Sequence, residues 1–137
     1  EVQPIIKSRF KKLQETGLEA EIYFPNNYNL IDIFKNGTIE DARLYGDGYD
    51  FQINVNENSF LAEIKGIREK KGRFRLTENE YKKAKEYQND YIVTLVLNLD
   101  DLPTFLPIEN PLKNLKFEEK IIKSKEIKEY HLISDIN

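Results

Sequence analysis

Between Asp90 and Leu99 the chain carries Tyr91, Ile92, Val93, Leu95, Val96 and Leu97 with almost no polar interruption. A run of this kind has no wet side and no dry side. It suits a central strand covered on both faces, so layers must lie above and below one sheet. The expected class is therefore α/β, with a mixed central sheet flanked by helices. A chain of 137 residues suits a single domain, 1–137, with its own core. No apolar run approaches the roughly 18 residues of a membrane span, and none marks a signal peptide. The chain begins at Glu1 and contains no methionine, so a domain cut from a longer protein is expected.

The other elements arrange themselves around that strand. Residues 5–23 read as a helix, with Ile5, Ile6, Phe10 and Leu13 recurring at three- and four-residue steps. Gly17 interrupts the pattern, so two helical pieces are possible, and Pro25-Asn26-Asn27 ends it. Asn29 to Phe34 is a short strand candidate. After the turn Gly46-Asp47-Gly48, the residues Tyr49, Phe51, Ile53 and Val55 alternate with Asp50, Gln52 and Asn54, a period-two strand. A turn at 56–59 leads to its hairpin partner, Phe60 to Ile64. Arg73 to Leu76 is a further short strand. Thr77-Glu78-Asn79-Glu80 is a capping box opening a helix over 78–88, with Tyr81, Ala84 and Tyr87 on one face. That role accounts for Glu80 without a part in chemistry, and Tyr81, Tyr87 and Tyr91 read as core or half-buried. Residues 100–111, with three prolines, read as loop; 117–130 reads as a helix or a late strand pair.

The chain has no cysteine and a single histidine, His131. Disulfides, thiolate metal sites and a Cys nucleophile are excluded, and a His-based triad or poly-His zinc site is not expected. His131 has no partner in view and reads as a surface residue. Chemistry is left to carboxylates, Lys or Tyr. Asp50 and the pair Glu63-x-Lys65 meet that need. Twelve residues separate Asp50 from Glu63, and the hairpin would bring them together, with Glu63 and Lys65 on one face. Two carboxylates can hold Mg2+ or Mn2+, which polarises a phosphate and lowers the pKa of bound water. A lysine beside them can orient or deprotonate that water and offset anionic charge. The backbone carbonyl of Ile64 would complete the donor set.

Net charge is -3, but from Lys65 to Arg75 six basic residues face one acid, Glu69. Arg68, Lys70, Lys71, Arg73 and Arg75 are expected to contact a nucleic-acid backbone beside the site. The plain alternative is a solvated loop that keeps an edge strand soluble.

The stretches Gly48-Tyr49-Asp50-Phe51 and Leu61-Ala62-Glu63-Ile64-Lys65-Gly66 resemble the PD-(D/E)XK, or restriction-endonuclease-like, superfamily. Phe74-Arg75-Leu76-Thr77-Glu78-Asn79-Glu80-Tyr81, running through Ala84 to Tyr91, is more specific. With Asn98-Leu99-Asp100-Asp101 and Asn110-Pro111 it resembles the nuclease-like domain family found at the C-terminus of the plant NO VEIN protein. That family is also appended to bacterial defence helicases and restriction proteins. The likeness covers residues 17–115 and leaves 116–137 as an extension. It implies a restriction-endonuclease-like core and a Mg2+-dependent DNA endonuclease module of a cytoplasmic restriction or phage-defence protein. It also implies a glutamate on the first helix that reaches the metal, for which Glu21 is the better match and Glu19 the second. Implied partners are DNA, other domains such as a helicase or NTPase, and a second copy of the chain for cutting both strands. The alternative is an inactive module of the same fold that binds DNA or protein.

Overall fold

The computed structural model describes residues 4–122 and 127–136. A long helix, α1 (Pro4–Asn27), leads into two 3-10 turns, Tyr28–Leu30 and Asp32–Phe34. Then come β1 (Thr38–Asp41), β2 (Phe51–Val55), β3 (Asn58–Gly66), β4 (Arg75–Thr77), α2 (Glu78–Tyr87), β5 (Tyr91–Leu97) and β6 (Thr104–Glu109). A single-turn α3 (Pro111–Asn114) and the strands β7 (Phe117–Ile122) and β8 (Ile127–Leu132) complete the chain. The main sheet has the order β1-β2-β3-β5-β6, and a second sheet has the order β4-β8-β7. Only β3 and β5 run parallel in the main sheet, joined by a crossover through β4 and α2. This is the mixed α/β arrangement, with a mixed five-stranded sheet flanked by helices.

The apolar run behaves as expected. All seven residues of β5 are buried, and the strand has neighbours on both sides. Its alternation divides the core in two. Ile92 and Val96 join Ala20, Phe24, Phe34, Phe51, Ile53 and Ile64 beneath α1. Tyr91, Val93, Leu95 and Leu97 pack on the other side with Leu76, Ala84, Tyr130 and Leu132. Each fully buried aliphatic side chain contributes about 1.5–3 kcal/mol by leaving water. Phe24 centres one cluster, with ring centroids 5.4 Å from Phe51 and 5.8 Å from Phe34. Tyr81 of α2 stacks on Tyr130 of β8 at 3.5 Å, tying helix to second sheet. The capping box is present in full.

Several elements differ from expectation. α1 passes through Gly17 unbroken, because one helical glycine costs only about 1 kcal/mol and packing offsets it. The packed stripe is Thr16, Ala20 and Phe24, spaced by four, whereas Leu13 is 62% exposed. The side chains of Ile5, Ile6 and Phe10 lie outside the described residues. Asn29 to Phe34 is not a strand. Local bonds hold it as a compact loop: the Asn36 amide donates to Asn29 Oδ1 at 2.6 Å, and the Tyr28 hydroxyl to the Gly37 carbonyl at 2.6 Å. Ile31 and Phe34 drop into the core from it. Residues 104–109 form a strand instead of loop; its Pro107 is tolerated because β6 is an edge strand. The tail resolves as the strand pair β7–β8.

Candidate active site

Asp50 stands one residue before β2, where the regular register ends at Phe51↔Ala62, and it lies with Phe51 against Ala62, the residue before Glu63. The Asp50 amide donates to the Ala62 carbonyl at 2.9 Å, and the Ile64 amide donates to Asp50 Oδ2 at 2.9 Å. In a strand the N–H and C=O of one residue share a side, so the Ile64 carbonyl faces the gap that Asp50 occupies. Lys65 lies on the Glu63 face. Its Nζ is 3.4 Å from Glu63 Oε2 and 2.8 Å from Glu80 Oε1.

Two glycines explain why these side chains meet. Gly48 has φ +91, and a Cβ there would lie 2.7 Å from the Asn79 carbonyl oxygen, so this turn sits directly on the start of α2. Asn79 Nδ2 donates to the Gly46 carbonyl at 2.6 Å and the buried Tyr91 hydroxyl to the Gly48 carbonyl at 2.8 Å. Asp50 is thereby set beside Glu80. At the end of β3, a Cβ on Gly66 would lie 2.7 Å from the Thr16 carbonyl oxygen. That close approach brings α1, and with it Glu21, to the site.

A cleft of about 600 Å3 opens between the two sheets. Glu21, Asp50, Glu63, Lys65 and Glu80 line it from the main sheet and the helices; Arg73, Arg75, Lys120 and His131 line it from the second sheet and its approach. Glu63 is 3% exposed. Burial pushes its carboxyl well above the usual range, Lys65 opposes the rise, and Glu80 and Asp50 add to it. Burial likewise pushes Asp50 up to about 6, against the Ile64 amide bond that lowers it. For Lys65, burial works to lower the value, but Glu63 and Glu80 outweigh it and the ammonium is held up. Glu21 is raised by burial, despite Arg43 at 3.7 Å.

These surroundings fit a hard divalent cation. Five carboxylates (Glu21, Asp50, Glu63, Glu80 and Glu118) and the buried Lys65 ammonium share one pocket, and the desolvated pair Asp50–Glu63 has the oxygen donors that Mg2+ or Mn2+ takes. Among the described residues no three acids form a ready cage. The donors would be Asp50, Glu63 and the Ile64 carbonyl, completed by water.

The other expected site residues separate. Glu21 reaches the cleft, whereas Glu19 turns to Arg68 at 2.7 Å. Arg68 also binds Thr16 Oγ1 at 2.9 Å and Asp100 at 3.3 Å, which makes it a fastener between the loop and α1. Lys70 and Lys71 are exposed at the loop tip. Arg73 and Arg75 reach the cleft, although Arg75 pairs with Glu129 at 3.4 Å and Arg73 stands 4.0 Å from Asp135. His131 is not a plain surface residue. It lines the cleft, half-buried, with Nε2 3.1 Å from Glu129 Oε1. The sequence reading also missed Glu80, which both caps α2 and holds Lys65. The capping box shows that Glu80 turns back toward Thr77, but no linear signal links it to residue 65. Arg43 beside Glu21 carried no signal at all.

No helix among the described residues is long and apolar enough to cross a membrane. Searches of the curated proteins and of the solved structures give no match. The family described as Protein NO VEIN, C-terminal matches residues 20–108. That span runs from α1 to β6 and contains Glu21, Asp50, Glu63, Lys65 and Glu80, while β7 and β8 lie beyond it. The chain belongs to the NO VEIN C-terminal domain family.

Proposed function

We propose that the domain is a PD-(D/E)XK-type, Mg2+- or Mn2+-dependent endonuclease module that hydrolyses DNA phosphodiesters, in a cytoplasmic restriction or defence protein whose other domains supply targeting. One observation carries this reading: Asp50, Glu63 and Lys65 line the wall of one cleft, with both carboxylates desolvated. A bound divalent cation would polarise the phosphate and lower the pKa of a water beside it. The protein's own part is positional. Asp50 is fixed by the Ile64 amide and Glu63 by the strand, so neither has to reorganise as charge develops. Lys65 is held up as an ammonium and offsets charge on the phosphate oxygens. Arg73 and Arg75 stand across the cleft, where a phosphate backbone would run. Cutting both strands would take two copies.

The test is cleavage of supercoiled plasmid in Mg2+ and in Mn2+. The wild type should nick it, and D50N, E63Q and K65M should each lose at least about a hundredfold, the scale set by single electrostatic groups in such sites. Cleavage unaffected by these substitutions would place the chemistry elsewhere. The specific observation favouring an inactive binding module is that the acids already have cations, Lys65 and Arg43, and form no ready cage. That reading expects binding without cleavage.

A further inference from the structure

Lys65 lies between two carboxylates, and the nearer is not its neighbour in sequence. Glu80 stands at 2.8 Å and Glu63 at 3.4 Å. Glu80 Oε1 also accepts from the Thr77 amide at 3.0 Å, while the Glu80 amide donates to Thr77 Oγ1 at 3.2 Å. One oxygen therefore serves two donors, and its position is set by the backbone at the start of α2. A capping glutamate commonly points into water, but this side chain is only 17% exposed and that of Lys65 only 19%. Were the cap its whole role, glutamine would serve as well, because capping boxes accept either residue at this position.

We propose that Glu80 is a positioning residue for Lys65. It draws the ammonium away from Glu63, leaving that carboxylate open toward Asp50 for a divalent cation, and fixes the positive charge beside the phosphate position. This rests on the reading given under Proposed function. A carboxylate pinned by a helix cap cannot follow the lysine, so the lysine must come to it. Anchoring of α2 through Asn79 and Gly46 extends that rigidity to the turn before Asp50.

The experiment is a double-mutant cycle at residues 65 and 80, read by Mn2+ calorimetry and by thermal melting in EDTA. E80Q keeps the cap and its acceptor oxygen but leaves Glu63 as the only carboxylate paired with Lys65, so the Mn2+ Kd should rise about tenfold, the usual scale for groups that orient a ligand. In a K65M background the same substitution should change the Kd less than about twofold, because no ammonium remains to compete. T77A should lower the melting temperature by about 3–5 °C while leaving the Kd within about twofold, which separates helix fraying from positioning. Equal Kd changes in both backgrounds would make Glu80 a ligand in its own right and overturn the proposal. An unchanged Kd in E80Q would make it a cap only. Should the wild type bind no Mn2+, the functional reading fails, and the EDTA melts still decide the pair. The proposal expects the two substitutions to be non-additive by about 2 °C or more, and additive shifts would overturn it.

Discussion

Strands β3 and β5 lie side by side in parallel register, with Glu63 beside Val93 and Lys65 beside Leu95. Glu63 is 3% exposed and Val93 0%, so depth does not distinguish them. Chemistry does. β5 is the interior that a sheet prefers: every residue buried, no charge, gain from each apolar side chain, with only the Thr94 hydroxyl buried and unpartnered among the described side chains. β3 carries an ionisable carboxyl, Glu63, at the same depth, and its charged form costs several kcal/mol unless partners contain it. The surroundings of β3 supply that containment: the Ile64 amide on Asp50, Glu80 on Lys65, the turn pinned by Tyr91. One strand stabilises the fold, and its neighbour spends part of that stability on a site.

The largest expected effect comes from breaking the apolar strand. Leu95→Ala should cost about 2–5 kcal/mol in urea unfolding, from lost transfer energy and the cavity left behind. A cost under about 1 kcal/mol would mean that β5 is not the core it looks to be.

The charged site beside β5 should respond with the opposite sign. Asp50 is pushed up to about 6 by burial, so the folded chain holds its proton more tightly than the unfolded chain. The stability linked to it is full below about pH 4 and is lost as pH rises through about 6. Without metal, Asp50→Asn should match wild type near pH 4 and exceed it by about 2–3 kcal/mol at pH 8, at 1.36 kcal/mol per unit. Asparagine keeps an acceptor for the Ile64 amide, so the comparison isolates charge. A D50N variant less stable than wild type at pH 8 would contradict the description of a desolvated carboxylate.

The smallest effects belong to the basic loop, and they separate its members. Arg68→Gln should cost at most about 1 kcal/mol of stability, as for an exposed ion pair, and leave the salt dependence of DNA binding unchanged. Replacing Arg73 and Arg75 with Gln should flatten the slope of log affinity against log salt by about 2, near 0.9 per phosphate contact. Equal slopes in the two variants would remove the second sheet from the binding surface.

This contrast also explains what could be read from the chain alone. β5 was legible because its run of apolar residues admits no other placement. The hairpin was legible because Phe51 and Ile53 alternate with polar neighbours, and it delivered Asp50 to the cleft that Glu63 lines. The capping box showed in the spacing of Thr77 and Glu80. What stayed hidden depends on contacts distant in sequence. Glu80 meets Lys65 across fifteen positions, and His131 faces the site only because β8 lies between β4 and β7. Residues 29–34 misled because Ile31 and Phe34 are core plugs carried by 3-10 turns, while Leu30 stays exposed. β6 was obscured by Pro107, which an edge strand tolerates.

The most direct measurement is melting temperature against Mn2+ concentration for wild type, D50N and E63Q at pH 8. Wild type should gain stability as RT ln(1 + [L]/Kd), about 2.7 kcal/mol at a hundred times Kd. D50N and E63Q should begin more stable and gain little. Parallel rises in all three proteins, or no rise in the wild type, would show that Asp50 and Glu63 do not hold a metal.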